Sequence, residues 1–320
     1  MAHAAEGEKP REEEQEHEEE VIIVGAGPSG LAAAACLSLR GVRNLVLERD
    51  DCVGSLWRHR TYDRIRLHLA KQHSALPHAP HGPAAPTYLP RDDFVRYLDD
   101  YATRFGVRVR LRREVREARF DEARGAWLVE AVDHATGLVE RYAARHLVAA
   151  AGENDEKVLP EVPGLDGFPG KVMHACEYRT GKGMEGKAVL VVGSGNSGME
   201  IAYDLAEAGA ATSIIVRSEV LPAMKAVHGN VVEFADGKRH PFDAIVFATG
   251  YRSTTKKWLK SDDGLIGEDG MARRSFPEHW KGENGLYCAG MVRRGLYGSC
   301  EDAESIAEDI SKKKKKPHQA

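Results

Sequence analysis

The sequence predicts an α/β protein built from two similar strand–turn–helix–strand units. In each unit a β-branched apolar run leads straight into a glycine-rich turn and a helical stretch, and a second short apolar run follows. The first unit covers residues 21–48 and the second covers residues 188–216. Such runs favour buried strands, and each unit is about as long as a βαβ unit. Because 320 residues suffice for about two domains, we expect one α/β domain around each unit.

The rest of the chain predicts fewer regular elements. Apolar side chains recur at helical spacing over residues 94–105, and residues 302–310 predict a closing helix. Residues 62–90 are rich in Pro and His and show no period, so we expect an irregular segment there, packed against whatever the first unit binds. Short apolar runs predict further strands at residues 107–109, 115–120, 127–132, 231–234, 244–247 and 285–290.

Composition excludes several classes of protein. The chain is 42% hydrophobic and 29% charged, which is ordinary for a globular protein and excludes collagen-like, coiled-coil and wholly disordered chains. The net charge of −4 combines nine Glu within residues 1–20 with a run of five Lys at residues 312–316. We expect residues 1–20 and 312–320 to be disordered tails. The body between them is nearly neutral, so no nucleic-acid partner is expected.

Cysteine usage and hydropathy indicate a cytoplasmic protein. The five cysteines include no CxxC pair, which argues against a disulfide framework and against a metal site of the zinc-ribbon kind. No apolar run approaches the roughly 20 residues of a membrane helix, so no membrane span is expected. Association with the surface of the endoplasmic reticulum stays open, and so does the oligomeric state.

The first glycine-rich turn predicts a dinucleotide site. In a GxGxxG turn, Gly25 allows the tight bend, Gly27 lets the backbone approach a pyrophosphate, and Gly30 lets the helix pack on the strand. Glu48 lies 18 residues after Gly30, at the end of the second strand, where a carboxylate accepts hydrogen bonds from ribose hydroxyls. The alternative is a glycine turn that serves packing alone, since such turns also occur in folds that bind no nucleotide.

The second turn differs at the position that selects the ribose. Gly193, Gly195 and Gly198 repeat the glycine pattern around Asn196, but Arg217 stands 19 residues after Gly198 where the first unit has its carboxylate. A cation there suits a 2′-phosphate, and Ser218 is a further phosphate donor. We therefore expect NADPH at the second turn and FAD at the first, with a surface Arg as the alternative reading of Arg217. Both domains are then dinucleotide-binding domains of the Rossmann type.

Two adenine dinucleotides imply hydride transfer from nicotinamide to flavin, and the missing CxxC pair makes oxygen the expected acceptor. The string from Phe168 to Tyr178 reads FxGxxxHxxxY and resembles the signature of flavin-containing monooxygenases; Baeyer–Villiger relatives carry Trp at its last position. By pattern alone His174 is more often a positioned linker residue than an acid or base. In that family the motif serves domain orientation and NADPH placement.

A closer resemblance is to the plant YUCCA flavin monooxygenases, over roughly residues 21–310. It implies conversion of indole-3-pyruvate, O2 and NADPH to indole-3-acetate, CO2 and water, the last step of auxin synthesis, through a C4a-hydroperoxyflavin. The motifs that carry it are Gly54–Trp57, Thr61–Gln72, Phe247–Tyr251 and Arg293–Gly298.

The resemblance also implies site residues. His68, Lys71 and Gln72 belong to the irregular stretch that the family places against the isoalloxazine, although surface residues of these types are nearly as common. Asn154 joins them as a catalytic candidate. Trp57 and Asp302 are the remaining candidates for cofactor contact. Where relatives have Ala-Thr-Gly-Glu-Asn, this chain has Ala150 to Asn154 with Ala in place of Thr, which loses a hydroxyl.

The expected architecture is an FAD domain at residues 21–186 and 245–311, interrupted by a small NADPH domain at 187–244. Between Pro222 and Val231 relatives carry a largely helical segment of roughly eighty residues, which this chain crosses with about eight. Two alternatives therefore stay open beside the monooxygenase: an uncoupled NADPH oxidase, and an inactive shortened paralogue that only binds FAD.

Overall fold

A computed structural model describes residues 16–216 and 224–315. The helices are α1 (Pro28–Leu39), α2 (Ser55–His59), α3 (Lys71–Ser74), α4 (Arg91–Arg104), α5 (Asn196–Glu207), α6 (Thr255–Trp258) and α7 (Gly295–Lys315), with one 3₁₀ turn at Leu165–Gly167. The strands are β1 (Glu16–Val24), β2 (Asn44–Leu47), β3 (Val109–Arg110), β4 (Arg113–Asp121), β5 (Ala126–Asp133), β6 (Val139–Ala149), β7 (Glu156–Lys157), β8 (Lys171–His174), β9 (Ala188–Val192), β10 (Ala211–Ile215), β11 (Met224–His228), β12 (Val231–Phe234), β13 (Arg239–Pro241), β14 (Ala244–Phe247), β15 (Tyr251–Arg252) and β16 (Leu286–Cys288).

The first module is built on a seven-stranded sheet. Its strand order is β3-β2-β1-β6-β5-β4, and β16 also pairs with β6. The strands β1, β2, β3, β6 and β16 run parallel, whereas β4 and β5 continue the sheet as an antiparallel meander. Helix α1 lies against one face, and its alanines are completely buried there together with Ile306 and Ala307 of α7. Small side chains let α1 and α7 pack closely on the sheet, as helices do in parallel α/β folds.

The second module is a four-stranded parallel sheet of order β10-β9-β14-β8. Alternate residues of β9 face opposite sides, as the two-residue period of a strand requires. Val189 and Val191 pack with Ile201 of α5 on one face. Leu190 packs on the other face in a cluster with Val232, which belongs to the antiparallel sheet β11-β12-β13. Both faces of this short module are therefore covered.

The structure changes the expected domain bounds. Strands β8 and β14 both belong to the second sheet, so the second module extends beyond residues 187–244 at both ends. The parallel pairing of β8 joins residues about seventy positions apart in the chain, and local sequence pattern carries no such information.

The structure also shortens both expected tails. Strand β1 begins at Glu16, inside the segment expected to be disordered, and α7 continues to Lys315. Arg108 and Arg43 bind Glu19, and Lys314 binds Glu20 at 3.0 Å. These ion pairs neutralise side chains whose like charges would otherwise oppose folding.

Two segments connect the modules, and they pair with each other. The first leads from β6 to β8 and contains β7, while the second follows β14 and contains β15. Tyr251 pairs with Lys157 and Arg252 with Glu156 in an antiparallel ribbon. Within the described ranges, no helix is both long enough and apolar enough to cross a bilayer.

Candidate functional site

The first glycine turn joins β1 to α1 and has little room for side chains at two of its three glycines. Gly25 has φ +105°, and a Cβ there would lie 2.6 Å from the carbonyl oxygen of Ala150. A Cβ on Gly30 would lie 1.9 Å from the carbonyl oxygen of Gly25. Gly27 is different, because its φ is −74° and nothing lies within 4 Å of an added Cβ. The turn thus closes tightly on its own strand and leaves open space at Gly27.

A cavity of about 700 Å³ opens in front of this turn, at the carboxyl ends of β1 and β2. This is where open α/β sheets bind their ligands. Of the residues expected to contact a cofactor or substrate, those that line it are Gly25, Gly27, Glu48, Trp57 and Asn154. Gly30 lies in the first turn of α1, on the face where the helix packs on the strand.

Glu48 is a buried carboxylate at the end of β2, with 7% of its surface exposed. One oxygen accepts the backbone N–H of Ala26 at 2.6 Å and the other accepts the N–H of Asp50 at 3.0 Å. Burial raises the pKa of this carboxyl, while the two N–H groups favour its charged form. Since a carboxylate has about four acceptor positions, capacity for ribose hydroxyls remains after both contacts.

Two helix N-termini meet at the cavity. Gly27 caps α1 without a side-chain hydrogen bond, so the N–H groups of its first turn are free to bind an anion. Gly295 and Ser299, at the start of α7, line the same cavity. The hydroxyl of Ser29 donates to that of Ser299 at 2.8 Å and ties the two helices together. The dipoles of both helices favour negative charge between them.

Asp302 does not line this cavity; it lies at a second cavity of about 540 Å³ beside α7. Its carboxylate accepts the backbone N–H of Gly290 at 2.8 Å and pairs with Nε2 of the fully buried His279 at 2.7 Å. Gly290 is part of the first cavity's wall. Asp302 therefore reaches the first cavity only through the backbone that it holds.

A charged cluster at the rim was not predicted from the sequence. The carboxylate of Asp155 accepts hydrogen bonds from Arg49 and from the hydroxyl of Thr254, and its carbonyl accepts one from Arg60 at 2.6 Å. All four residues line the cavity. These residues come from three distant parts of the chain, so no local motif marks them. They join the first module to the segment that returns from the second.

The second glycine turn repeats the geometry of the first. Gly193 has φ +113°, and a Cβ there would lie 2.3 Å from the carbonyl oxygen of Ala248. A Cβ on Gly198 would lie 2.0 Å from the oxygen of Gly193, whereas Gly195 has open space. Gly195 caps α5, again with no side-chain hydrogen bond. Arg217 and Ser218, expected to select the phosphorylated ribose, lie outside the described residues.

The three candidates from the irregular stretch are not among the described residues that line the first cavity. His68 lies at the start of α5, where Nδ1 is 3.0 Å from the amide nitrogen of Asn196. The ammonium group of Lys71 donates to backbone carbonyls at residues 82, 83 and 85 and holds that loop. Gln72 is exposed on the short helix α3.

His174, in the FxGxxxHxxxY motif, is a buried linker residue. Its Nε2 lies 3.1 Å from the carbonyl of Gly250, so Nε2–H donates, and Nδ1 accepts the backbone N–H of Cys176 at 3.3 Å. Burial lowers the pKa of this imidazole and favours its neutral form. Tyr178 donates to the carboxylate of Asp204 on α5 at 2.6 Å. The motif thus ties β8 to the returning segment and to α5.

Comparison with known proteins identifies the family. A family model described as pyridine nucleotide-disulphide oxidoreductase matches residues 22–229. The probable indole-3-pyruvate monooxygenase YUCCA10 of Arabidopsis thaliana is 36% identical over 90% of this chain and 96% of its own. The indole-3-pyruvate monooxygenase YUCCA1 of Oryza sativa subsp. japonica is 38% identical over 90% of each chain. The YUCCA10 alignment spans 368 positions, about 80 more than the part of this chain that it covers, in agreement with the expected shortening.

Solved structures confirm the fold. A flavin-containing monooxygenase from Stenotrophomonas maltophilia superposes with a TM-score of 0.78 at 22% identity, over 93% of this chain and 99% of its own. The bacillithiol disulfide reductase Bdr from Bacillus cereus gives 0.79 at 21% identity, over 93% of this chain and all of its own. The fold is therefore that of two dinucleotide-binding modules of the Rossmann type. The family matches imply a flavin and a pyridine nucleotide, and the chain belongs to the YUCCA family of flavin monooxygenases.

Proposed function

We propose that this chain uses FAD, NADPH and O2 to convert indole-3-pyruvate to indole-3-acetate, CO2 and water, and so acts in auxin synthesis. The observation that carries the proposal is its identity of 36–38% to indole-3-pyruvate monooxygenases over about 90% of its length. Two glycine turns of the same shape, each at the start of a helix whose N-terminus has no side-chain capping hydrogen bond, support the two cofactors.

The first module fits FAD. Open space at Gly27 leaves room for a pyrophosphate next to the backbone, and the N-termini of α1 and α7 favour its charge. Glu48 has acceptor capacity left for ribose hydroxyls. The flavin, when bound, supplies the redox chemistry, namely acceptance of a hydride and activation of O2.

The chain's own residues position and enclose these groups. Trp57 packs edge-on against Phe94, with ring centroids 4.8 Å apart, and this contact fixes the apolar wall of the cavity. The Asp155 cluster also lines the cavity, and Asn154 beside it offers an amide to the bound ligands. A walled site of this kind keeps water away from reactive groups. His68, Lys71 and Asp302 act by holding other parts of the protein in place.

The second module fits NADPH. Gly195 offers the same open space as Gly27, and the first turn of α5 offers free N–H groups. We assign the selection of the 2′-phosphate to Arg217 and Ser218 from their place in the sequence. The sheet of this module is covered by α5 on one face and by β11-β12-β13 on the other, which supports a working module despite its short length.

Aerobic turnover of indole-3-pyruvate, with FAD and NADPH supplied, tests the proposal. We expect one indole-3-acetate for each NADPH oxidised. One hydrogen peroxide per NADPH, without indole-3-acetate, would instead establish an uncoupled oxidase. A purified chain that binds FAD but oxidises no NADPH would establish the inactive paralogue.

The described cysteines are all free, which agrees with a cytoplasmic location, and fractionation of plant cells would test that location.

A further inference from the structure

A segment of the first module runs along α5 of the second and contacts both ends of that helix. Arg64 forms ion pairs with Asp204, at 3.2 Å, and with Glu207, both in the last turns of α5. Toward the start of α5, Tyr62 and His68 both bind Glu200. The helix that begins at the second glycine turn is therefore held by side chains of the other module.

The hydrogen bonds around Glu200 form a series that ends at the second glycine turn. The hydroxyl of Tyr62, which is 2% exposed, donates to Oε2 of Glu200. Oε1 of the same carboxylate lies 3.0 Å from Nε2 of His68, and Nδ1 of His68 lies 3.0 Å from the amide nitrogen of Asn196. Asn196 is the first residue of α5 and directly follows Gly195.

The carboxylate of Glu200 determines which groups donate and which accept in this series of hydrogen bonds. A carboxylate can only accept hydrogen bonds, so Nε2 of His68 carries the proton that it shares with Glu200. A neutral imidazole carries a single N–H, so Nδ1 is then the acceptor, and the NH₂ group of Asn196 is the group that it accepts from. The orientation of the Asn196 amide is thereby set, with its nitrogen toward His68 and its carbonyl oxygen turned away.

We propose that His68 is a positioning residue for NADPH: through Glu200 it adopts the tautomer that orients the Asn196 amide at the N-terminus of α5, where the dinucleotide binds. The inference rests on the proposed NADPH site at the second glycine turn. It also accounts for the place of His68, which belongs to the sequence of the first module yet lies at the turn of the second. His68 acts on the reaction through Asn196 and does not touch the flavin cavity.

The test is anaerobic reduction of the flavin by NADPH, followed by stopped-flow absorbance in the FAD-loaded enzyme. His68→Ala removes one hydrogen bond that orients a binding group, which predicts an NADPH Kd about three- to tenfold higher, equivalent to about 0.7–1.4 kcal/mol. The limiting rate of reduction should change by less than about twofold, because the flavin site is untouched. His68→Gln, whose amide can both accept and donate, should restore most of the affinity.

A matched control separates this role from a general loss of stability. His134 is equally exposed, 42% against 41% for His68, and it also pairs with a carboxylate, Glu114, but it lies on the meander of the first module. His134→Ala should leave the Kd for NADPH unchanged. Glu200→Gln should raise the Kd as His68→Ala does, because an amide at position 200 no longer dictates which nitrogen of His68 carries the proton.

A double-mutant cycle with Asn196→Ala decides whether the effect passes through Asn196. If it does, adding His68→Ala to Asn196→Ala changes the Kd by less than about twofold. An undiminished three- to tenfold change in the Asn196→Ala background would overturn the proposal, and so would an unchanged Kd in His68→Ala. Failure of the proposed function gives a different result, namely no reduction of the flavin by NADPH in the unmutated enzyme. If His68→Ala fails to fold, Glu200→Gln and Asn196→Ala carry the same comparison.

Discussion

The open space at Gly27 predicts that adding a single methyl group there will weaken cofactor binding and leave the stability of the fold nearly unchanged. The backbone at Gly27 has φ −74° and ψ −179°, which alanine adopts freely, and nothing lies within 4 Å of the added Cβ. Gly27→Ala should therefore change the free energy of unfolding of the flavin-free protein by no more than about 1 kcal/mol, and in the stabilising direction. The methyl group would nevertheless occupy space that we assign to the pyrophosphate of FAD.

The magnitude follows from the cost of overpacking. One extra methyl group in a filled site costs about 1–3 kcal/mol, which corresponds to a Kd for FAD about 5- to 150-fold higher. The assay is titration of the deflavinated protein with FAD, followed by flavin fluorescence, with circular dichroism and urea unfolding to establish that the variant is folded.

The second glycine turn supplies the control. Gly195 has φ −68° and ψ 178° and the same open space, so Gly195→Ala is equally harmless to the backbone. It should leave the Kd for FAD unchanged and raise that for NADPH. The assignment of the two cofactors is refuted if Gly27→Ala binds FAD normally, or if Gly195→Ala weakens FAD and spares NADPH.

Three further predictions concern selectivity, packing and acid stability. Arg217→Ala should weaken NADPH far more than NADH, since only NADPH carries the 2′-phosphate; equal weakening, measured as kcat/KM for each, would contradict the role of Arg217. Gly30→Ala should lower the free energy of unfolding in urea by about 3 kcal/mol, because its Cβ would lie 1.9 Å from a backbone oxygen of the same turn. Burial raises the pKa of Glu140, but hydrogen bonds from Arg113 and Tyr142 outweigh it and lower that pKa to about 2 from the usual 4.5. The charged carboxylate therefore stabilises the fold above about pH 4.5 and loses this effect as the pH falls toward 2. The difference in Tm between the unmutated protein and Glu140→Gln should shrink over that range, and a constant difference would count against the ion pairs.

Local sequence pattern was sufficient to predict the two glycine turns and the elements around them, because strand, turn and helix follow one another within about 30 residues. The same kind of pattern was insufficient to predict β6, which lies in the centre of the first sheet. Charged and apolar residues alternate irregularly in β6, and its first half is held by pairing with β5 while its second half pairs with β16. A strand that is held by its distant partners, as β6 is, need not show a distinctive pattern of its own.

The residues of the candidate site also fall into those that local sequence pattern predicts and those that it does not. Residues of the turns and of the strand ends, such as Gly27 and Glu48, could be placed from sequence because their position follows from the βαβ unit. His68 could not, because its location depends on how the second module lies against the first. Nor could the rim cluster of Asp155, whose partners come from distant parts of the chain.

The ribbon of β7 and β15 has a mechanical consequence. A module that is joined to its neighbour by one strand can rotate freely about that strand. A module that is joined by two hydrogen-bonded strands has fewer directions of rotation available to it. The hydrogen bonds between Val158 and Gly250 and between Asp155 and Arg252 oblige the two crossings to bend together. Turning of the second module about the long axis of the ribbon requires these hydrogen bonds to break. The paired crossings thereby restrict the directions in which the second module can move against the first.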